Sequence, residues 1–243
     1  KKSLQKRFKK NFPFKKKIAM IMLESFQGWG ALFYPLEYIN EIKLFCKKNN
    51  VLLCFDEMQA GFGRTGKKFG FQHYNVSPDM ICVGKGMGSG FPLAALVGSK
   101  KIFDNKKISG MSSTHSANPV CCTAGTSTID IINKKKLVNN SKNKGKILHK
   151  ELNLIKINSK IIFGTFGKGL IASLIFKKYN HQSAKTIADL VSLKCLSNGL
   201  LVCNTGRESI KLGPPLIINK LGIEKSLKIL KKSIYEVEKQ ITR

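Results

Sequence analysis

Two charged residues, Asp56 and Lys85, each follow a short apolar run and carry the strongest chemical signal in this sequence. The first run, residues 51–55, ends on Asp56, and the second, residues 80–83, leads into a Gly-Lys-Gly triplet centred on Lys85. Short apolar runs bounded by glycine are typical of strands buried on both faces of a parallel sheet. Because ligands bind beyond the carboxyl ends of such strands, we expect both side chains to project into one crevice. A carboxylate and an amine there suit a chemistry in which an amine holds an electrophile beside a buried negative charge.

Each of these two residues also has an ordinary structural interpretation. An Asp after a strand commonly caps a helix or a turn, and a Lys between glycines is commonly solvated. The joint pattern over residues 52–92 favours the catalytic interpretation. Glycine is also frequent around the lysine, and it lets the backbone approach a ligand closely and turn sharply.

The stretch over residues 52–92 resembles the class III (subgroup II, omega-type) aminotransferases, which depend on pyridoxal phosphate. Residues 56–66 match the family pattern of Asp-Glu, Gln and Gly-x-Gly-Arg-Thr-Gly. Residues 78–92 follow with Pro-Asp, Gly-Lys-Gly and a Ser-Gly-Phe-Pro where relatives have Gly-Gly-x-Pro. The resemblance extends over about residues 18–243. It is long and ordered, which makes it far more specific than a lone glycine motif.

The resemblance implies a role for each residue that matches the family pattern. Lys85 holds pyridoxal 5'-phosphate as a Schiff base, and Asp56 keeps the pyridine nitrogen protonated. Gln59 hydrogen-bonds the ring 3-oxygen, and Met58 packs against the ring. Thr114 lies in a loop like the family's Ser-Thr-x-x-x-Asn-Pro and binds the cofactor phosphate of the neighbouring subunit. The resemblance therefore also implies a homodimer with shared active sites.

Three further residues are candidates for substrate binding, although the first two depart from the common family pattern. Trp29 replaces the second Glu of Gln-Gly-Glu-Gly-Gly, and it either forms an apolar wall over the substrate or packs in a core or interface. Lys211 stands where many relatives place a carboxylate-binding Arg. Either Lys211 fills that role, or nearby Arg207 does, or the donor is not a simple amino acid. Alternatively, Arg207 forms a surface ion pair with Glu208.

The resemblance implies an α/β protein with a three-layer, aspartate-aminotransferase-like large domain (fold type I), here incomplete, and a small α+β carboxyl-terminal domain. We expect a basic flexible segment over residues 1–16, part of the cofactor-binding domain over 17–140 and the small domain over 141–243. Helical periodicity over Pro35–Lys48 follows the strand of residues 17–23. We expect another buried strand over 93–98, helices over 184–198 and 223–240, strands over 161–176 and 199–203, and a Lys/Asn-rich domain start over 133–146.

The composition indicates which classes of partner the protein is expected to bind. The net charge of +29 suggests nucleic acid, but only four of the 43 basic residues are arginines, and sequence readers depend on arginine forks. No apolar run approaches the roughly 20 residues of a membrane span. The seven cysteines show no CxxC or Cys/His ligand spacing. We therefore expect a cytoplasmic protein with reduced thiols, no metal, no specific nucleic acid and no membrane contact.

We predict pyridoxal-phosphate-dependent transamination, which moves an amino group from an amine or amino-acid donor to a 2-oxo acid through the Schiff base on Lys85. The alternatives are an aminomutase or amine lyase on the same scaffold, or an inactive polyanion-binding fragment. The phosphate loop and the stacking aromatic residue of the family's amino-terminal third have no counterpart here. We therefore expect a chain truncated at its amino terminus that retains the cofactor weakly when it is alone.

Overall fold

The computed structural model of the protein describes residues 18–104 and 113–242. The basic segment predicted over residues 1–16 lies outside the described residues. The first part of the chain forms these elements: β1 (Met20–Glu24), β2 (Phe26–Gln27), β3 (Leu32–Phe33), α1 (Leu36–Asn49), β4 (Leu52–Asp56), β5 (Met80–Val83), β6 (Ala95–Gly98), α2 (Lys100–Phe103) and α3 (Pro119–Lys134). The second part forms α4 (Leu137–Ile157), β7 (Ile162–Lys168), β8 (Ile171–Phe176), α5 (Ala184–Ser197), β9 (Cys203–Asn204), β10 (Ser209–Leu212) and α6 (Lys220–Thr242). None of the described helices is both long enough and apolar enough to cross a membrane.

The first sheet carries the two residues with the strongest chemical signal. Its strand order is β1-β4-β5-β6, and β1, β4 and β5 are parallel. Helix α1 connects the first two of these parallel strands and buries Ile39 and Ile42 in the same hydrophobic cluster as Leu53 and Phe55 of β4. The predicted strand–helix–strand unit is therefore confirmed, and the carboxyl ends of three parallel strands meet at one edge.

Strand β6 differs from the expectation of a buried strand over residues 93–98. The strand is present, but Leu96 is 45% exposed and Val97 is 50% exposed. It pairs antiparallel with β5 and lies at the edge of the sheet formed by the described residues. The prediction of burial was wrong because an apolar run does not distinguish a central strand from an edge strand.

The second sheet is antiparallel and has the order β7-β8-β10-β9. Strand β8 is buried along its whole length, and its core residues cluster with those of α4, α5 and α6. The single strand expected over residues 161–176 is in fact a hairpin that turns at Gly169. The strand expected over 199–203 begins only at Cys203, and β10 lies in a segment where we predicted no strand.

Helix α4 connects the two parts of the chain, although its sequence is rich in Lys and Asn. Its 21 residues include position 140, where we predicted the boundary between the large and the small domain. That boundary stays a prediction. Gly145 lies so close to the hairpin turn that a Cβ atom there would be 2.5 Å from the Gly169 backbone. A helix residue without a side chain is therefore needed at this contact, because a β-carbon would overlap with main-chain atoms.

Arg64 links the loop after β4 to the second sheet. Its Nη1 donates hydrogen bonds to the carbonyl oxygens of Leu170, at 3.0 Å, and Pro214, at 2.5 Å. The carbonyl oxygen of Arg64 accepts from the Leu170 N–H and from the Ser141 hydroxyl. Burial lowers the pKa of the guanidinium, but it has two carbonyl partners. Arg64 therefore belongs to the contact between the two sheets.

Acid should destabilise the folded protein through His73, whose Nε2 lies 3.1 Å from Thr65 Oγ1. Burial and then the charge of Lys168 lower the pKa of His73 from 6.5 to about 4. Between pH 6.5 and about 4, the unfolded histidine binds a proton that the folded one does not bind. The stabilisation is therefore complete above this range and is lost as the pH falls through it. Burial lowers the pKa of His149 as well, so both residues act in the same direction.

Urea unfolding midpoints at neutral pH and near pH 5 measure this effect. We expect His73→Gln to reduce the difference between the two midpoints, since glutamine does not titrate. The matched control is His181→Gln, at an exposed position, which should leave the difference unchanged. An undiminished difference in His73→Gln would contradict the assignment.

Candidate functional site

Asp56 and Lys85 lie at the carboxyl ends of two adjacent parallel strands. Asp56 is the last residue of β4, and its register partner in β5 is Cys82. The N–H of Glu57 donates to the Cys82 carbonyl oxygen at 2.8 Å, which extends the strand pairing by one residue. Lys85 follows two residues after the end of β5 and begins the 3₁₀ turn Lys85–Met87. The structure therefore brings both residues to one edge of the sheet.

The carboxylate of Asp56 is half-buried and only partly engaged. Its Oδ1 accepts a hydrogen bond from the N–H of Met58 at 2.8 Å. Among residues 18–104 and 113–242, no donor contacts its second oxygen, Oδ2. The first bond fixes the orientation of the side chain, and the second oxygen remains available to a hydrogen-bond donor on a ligand.

The side chain of Lys85 is exposed, and its backbone adopts an unusual conformation. Its φ angle is +44°, in the left-handed region that only glycine occupies without cost. Within the described part of the chain, its amine makes no ion pair. A Cβ at Gly86 or Gly90 would meet nothing within 4 Å, whereas a Cβ at Gly84 would lie 2.6 Å from Met58 Sδ. The lysine thus stands at an open position, with Met58 packed against the strand end beside it.

Gln59 lies close to the end of the third parallel strand. A Cβ at Gly28 would be 2.8 Å from Gln59 Oε1 and 3.0 Å from Glu24 Oε1, so these two side chains flank Gly28. The Gly28 N–H donates to Glu24 Oε2 at 3.0 Å. Glu24 is the register partner of Asp56, but sequence reasoning assigned it no role. Its position at the end of a third apolar run was the signal that could have identified it.

The three predicted substrate-binding residues lie on the second sheet or against it. The Cζ atom of Arg207 lies 4.7 Å from the centroid of the Trp29 ring, a cation–π contact. The ion pair with Glu208, which was the alternative role for Arg207, is not among the ion pairs of the described residues. Lys211 is half-buried in β10 and, together with Gln59, lines a cleft of about 580 Å³.

Thr114 stands apart from this group in its contacts. It lies in an exposed turn over residues 114–117, just before α3. The side chain of Asn118 caps that helix by accepting from the N–H groups of Val120 and Cys121. No contact in the described structure joins Thr114 to Asp56 or Lys85. Its predicted role, phosphate binding in a neighbouring subunit, remains a prediction.

No cluster of three or more His, Cys, Asp or Glu residues that could hold a metal ion occurs in the described ranges. The groups at or near the strand ends are one amine, two carboxylates and one amide, from Lys85, Asp56, Glu24 and Gln59. Such a set can bind an aldehyde covalently, stabilise a nearby positive charge and donate a hydrogen bond.

Comparison with known proteins gives consistent matches to one family. The family described as "Aminotransferase class-III" matches residues 2–234. The acetylornithine/succinyldiaminopimelate aminotransferase of Buchnera aphidicola (subsp. Acyrthosiphon pisum) is 33% identical over 209 residues, which cover 86% of this chain and 50% of that protein. The alanine/serine racemase of Pyrococcus horikoshii is 33% identical over 220 residues, covering 89% of this chain and 46% of that protein.

Solved structures agree with the sequence matches. The structure of an S-selective transaminase from Arthrobacter sp. with alanine bound has a TM-score of 0.86 and 28% sequence identity. The match covers 98% of this chain and 54% of that chain. This chain therefore spans about half the length of the relatives that it matches.

Proposed function

Because the chain belongs to the class-III aminotransferase family, whose members depend on pyridoxal phosphate, we propose that it transfers an amino group from an amine or amino-acid donor to a 2-oxo acid. The observation that carries this proposal is the position of Asp56 and Lys85 at the ends of adjacent parallel strands. We further propose that the protein acts in the cytoplasm as a homodimer, in which Thr114 completes the phosphate site of the partner.

The residues at the strand ends fit pyridoxal phosphate. The amine of Lys85 is exposed, one oxygen of Asp56 is available, and the open positions at Gly86 and Gly90 leave space beside the lysine. When bound, the cofactor supplies an aldehyde and an electron-withdrawing ring. Lys85 would hold it covalently, and Asp56 would accept a hydrogen bond from its ring nitrogen. Gln59 would donate to the ring oxygen.

The chain's own residues then move one proton. The free amine of Lys85 would remove the proton from the substrate carbon that bears the amino group. The charge of Asp56 would favour a protonated ring nitrogen in the bound cofactor, and that form withdraws electrons more strongly. Met58, which packs against Gly84, would hold the ring in place between these two groups.

A second candidate reaction begins with removal of the same proton, because the racemase of P. horikoshii is a relative of similar identity. Return of the proton to the opposite face would yield the mirror-image amino acid, and a shift of the amino group would yield an isomer. Product analysis distinguishes these outcomes: transamination forms one new amino compound and one new oxo compound in equal amounts.

The proposal is tested by incubating the protein with pyridoxal phosphate, an amino donor and a 2-oxo acid, and by measuring both products chromatographically. We expect Asp56→Asn to slow product formation by about 10²-fold or more, because an amide carries no charge to stabilise the protonated ring nitrogen. Asp130→Asn, at an exposed position of α3, is the matched control and should leave the rate unchanged. No amino transfer at all, or an unchanged rate in Asp56→Asn, would sink the proposal.

A further inference from the structure

Sulfur-containing side chains from three neighbouring strands lie on one face of the first sheet. Cys54 in β4 is the register partner of Met22 in β1 and of Met80 in β5. Residues that pair across parallel strands project to the same face, and so do residues two positions apart along one strand. Cys82 is two positions after Met80, so it shares this face with the other three residues. Thiols and thioethers are soft ligands, which select Cu(I) over harder ions.

The two thiols are close enough to bind one metal ion together. Cys54 Sγ and Cys82 Sγ are 3.9 Å apart. Metal–thiolate bonds are about 2.3 Å long, so two thiolates on one ion can be up to about 4.6 Å apart. With these bond lengths, the observed separation gives a sulfur–metal–sulfur angle of about 116°. That angle leaves room for a third ligand in a trigonal arrangement.

The backbone of the two strands opposes a disulfide between the same thiols. Cys82 pairs with Asp56, two positions after Cys54, so the two cysteines are diagonal neighbours. A strand spacing of about 4.8 Å and a rise of about 3.3 Å per residue place their Cα atoms roughly 8 Å apart. Cysteines with Cα atoms more than about 7 Å apart cannot be bridged unless the backbone moves. This arrangement therefore suits a metal between the sulfur atoms better than a direct bond.

The protonation of Cys54 favours the same conclusion. Cys54 is 1% exposed. This burial, and then the charge of Cys82, raises the pKa of the Cys54 thiol to about 12. Because oxidation requires a thiolate, the raised pKa protects Cys54 from oxidation, whereas a coordinated thiol is deprotonated by the metal itself.

Met22 is the thioether best placed to be the third ligand. It lies on β1, at the edge of the sheet formed by the described residues, and is 48% exposed, so its side chain is free to turn towards Cys54. Met80 is buried, and a Cβ at Gly98 would be 3.0 Å from its Cγ, so Met80 packs against β6. Cys82 is half-buried, which gives an ion access to the thiols from the side of the solvent.

We propose that Cys54, Cys82 and Met22 form a binding site for Cu(I), with two thiolate ligands and one thioether ligand. Binding of one Cu(I) ion forms three copper–sulfur bonds and releases two thiol protons to solvent, and no electron is transferred. Zn(II) fits less well because its structural sites take four ligands. No third His, Cys, Asp or Glu side chain joins the two thiols in a cluster within the described ranges. The proposal does not depend on the proposed function.

Anaerobic titration of the reduced chain with Cu(I) in the presence of bicinchoninate, a chromophoric Cu(I) chelator, tests the site. Competition with the chelator suppresses binding to single exposed thiols such as Cys122 and Cys203. We expect the chain to withdraw one equivalent of Cu(I) from the chelator. X-ray absorption at the copper edge should then show sulfur ligands only.

Variants of the two thiols assign the copper to this face of the sheet. We expect Cys54→Val and Cys82→Ala each to weaken Cu(I) binding by about 100-fold or more, because loss of a ligand costs more than loss of a group that only orients one. The double variant Cys122→Ala/Cys203→Ala removes two exposed thiols and is the matched control, which should bind as the unmodified chain does. Far-ultraviolet circular dichroism checks the fold, and Cys82→Ala, at a half-buried position, carries the test if Cys54→Val does not fold.

A second pair of variants tests the thioether. Met22→Leu should weaken Cu(I) binding by about tenfold. Met20→Leu, on the same exposed face of β1, is its control, because the register partner of Met20 is Leu52 rather than a cysteine. Equal loss of affinity in the two methionine variants would contradict the assignment of Met22.

Three results would overturn the proposal as a whole. The first is full Cu(I) affinity in both Cys54→Val and Cys82→Ala, which would place the copper elsewhere. The second is tighter binding of Zn(II) than of Cu(I) by the same two thiols. The third is no Cu(I) uptake by the reduced chain together with a disulfide between Cys54 and Cys82 after treatment with hydrogen peroxide, as detected by peptide mass spectrometry.

Discussion

Lys85→Arg should lower the rate of amino transfer by about 10²–10⁴-fold or more and should remove the site of covalent cofactor attachment. Arginine keeps the positive charge and a long side chain, so the local electrostatics change little. Its guanidinium stays protonated at any ordinary pH, however, and offers no electron pair to an aldehyde. The variant therefore separates the chemistry of the amine from its charge.

Borohydride reduction in the presence of excess pyridoxal phosphate, followed by peptide mass spectrometry, measures attachment directly. In the unmodified protein we expect a pyridoxyl group on the peptide that contains Lys85, even where retention of the cofactor is weak, because reduction makes the adduct permanent. Lys67→Arg, at an exposed position of the loop after β4, is the matched control and should keep both the adduct and the rate. Persistence of normal turnover in Lys85→Arg would refute the role of this lysine.

Glu57→Gln should lower the free energy of unfolding by about 2–3 kcal/mol, although it changes one atom. Glu57 is fully buried, and its Oε2 accepts from the Gly70 N–H at 2.6 Å while its Oε1 accepts from the Phe71 N–H at 2.7 Å. The Ser25 hydroxyl also donates to Oε1. Because each oxygen faces a backbone N–H, an amide nitrogen in either place would set a donor against a donor.

The expected loss of stability does not depend on whether Glu57 is ionised in the unmodified protein. Burial raises the pKa of this carboxyl, and the three donors oppose that shift. Even a protonated carboxyl keeps acceptor lone pairs on both oxygens, whereas the amide nitrogen of glutamine only donates. Urea unfolding measures the loss, with Glu37→Gln in the exposed first turn of α1 as the control, which should cost less than about 1 kcal/mol. Equal midpoints for Glu57→Gln and the unmodified protein would show that these bonds contribute little.

The elements that carry the candidate site were predictable because their signals are local. Continuous apolar runs predict β4 and β5, and apolar spacing predicts α1, since each of these patterns depends on a few neighbouring residues. The position of Asp56 and Lys85 at one edge then follows from the general geometry of parallel sheets. Their chemical roles come from the family pattern and stay predictions.

Other features depend on contacts that no local pattern records. Helix α4 was hidden by its Lys and Asn residues, and its apolar stripe becomes clear only from Leu148 onwards. Strand β10 was hidden because Ser209 and Lys211 are polar. The stack of Arg207 on Trp29 depends on Ser209, which is 180 residues from Trp29 along the chain. Sequence alone has no means to bring such distant residues together.

The left-handed backbone at Lys85 sets stability and chemistry against each other at one position. A residue with a β-carbon at φ +44° costs roughly 1 kcal/mol relative to an unstrained one, and glycine would relieve that cost. Glycine has no amine, however, so the relief would remove the group on which the proposed reaction depends. A redesign of this protein for thermal stability alone would favour glycine at position 85. The resulting variant would be more stable but catalytically inactive.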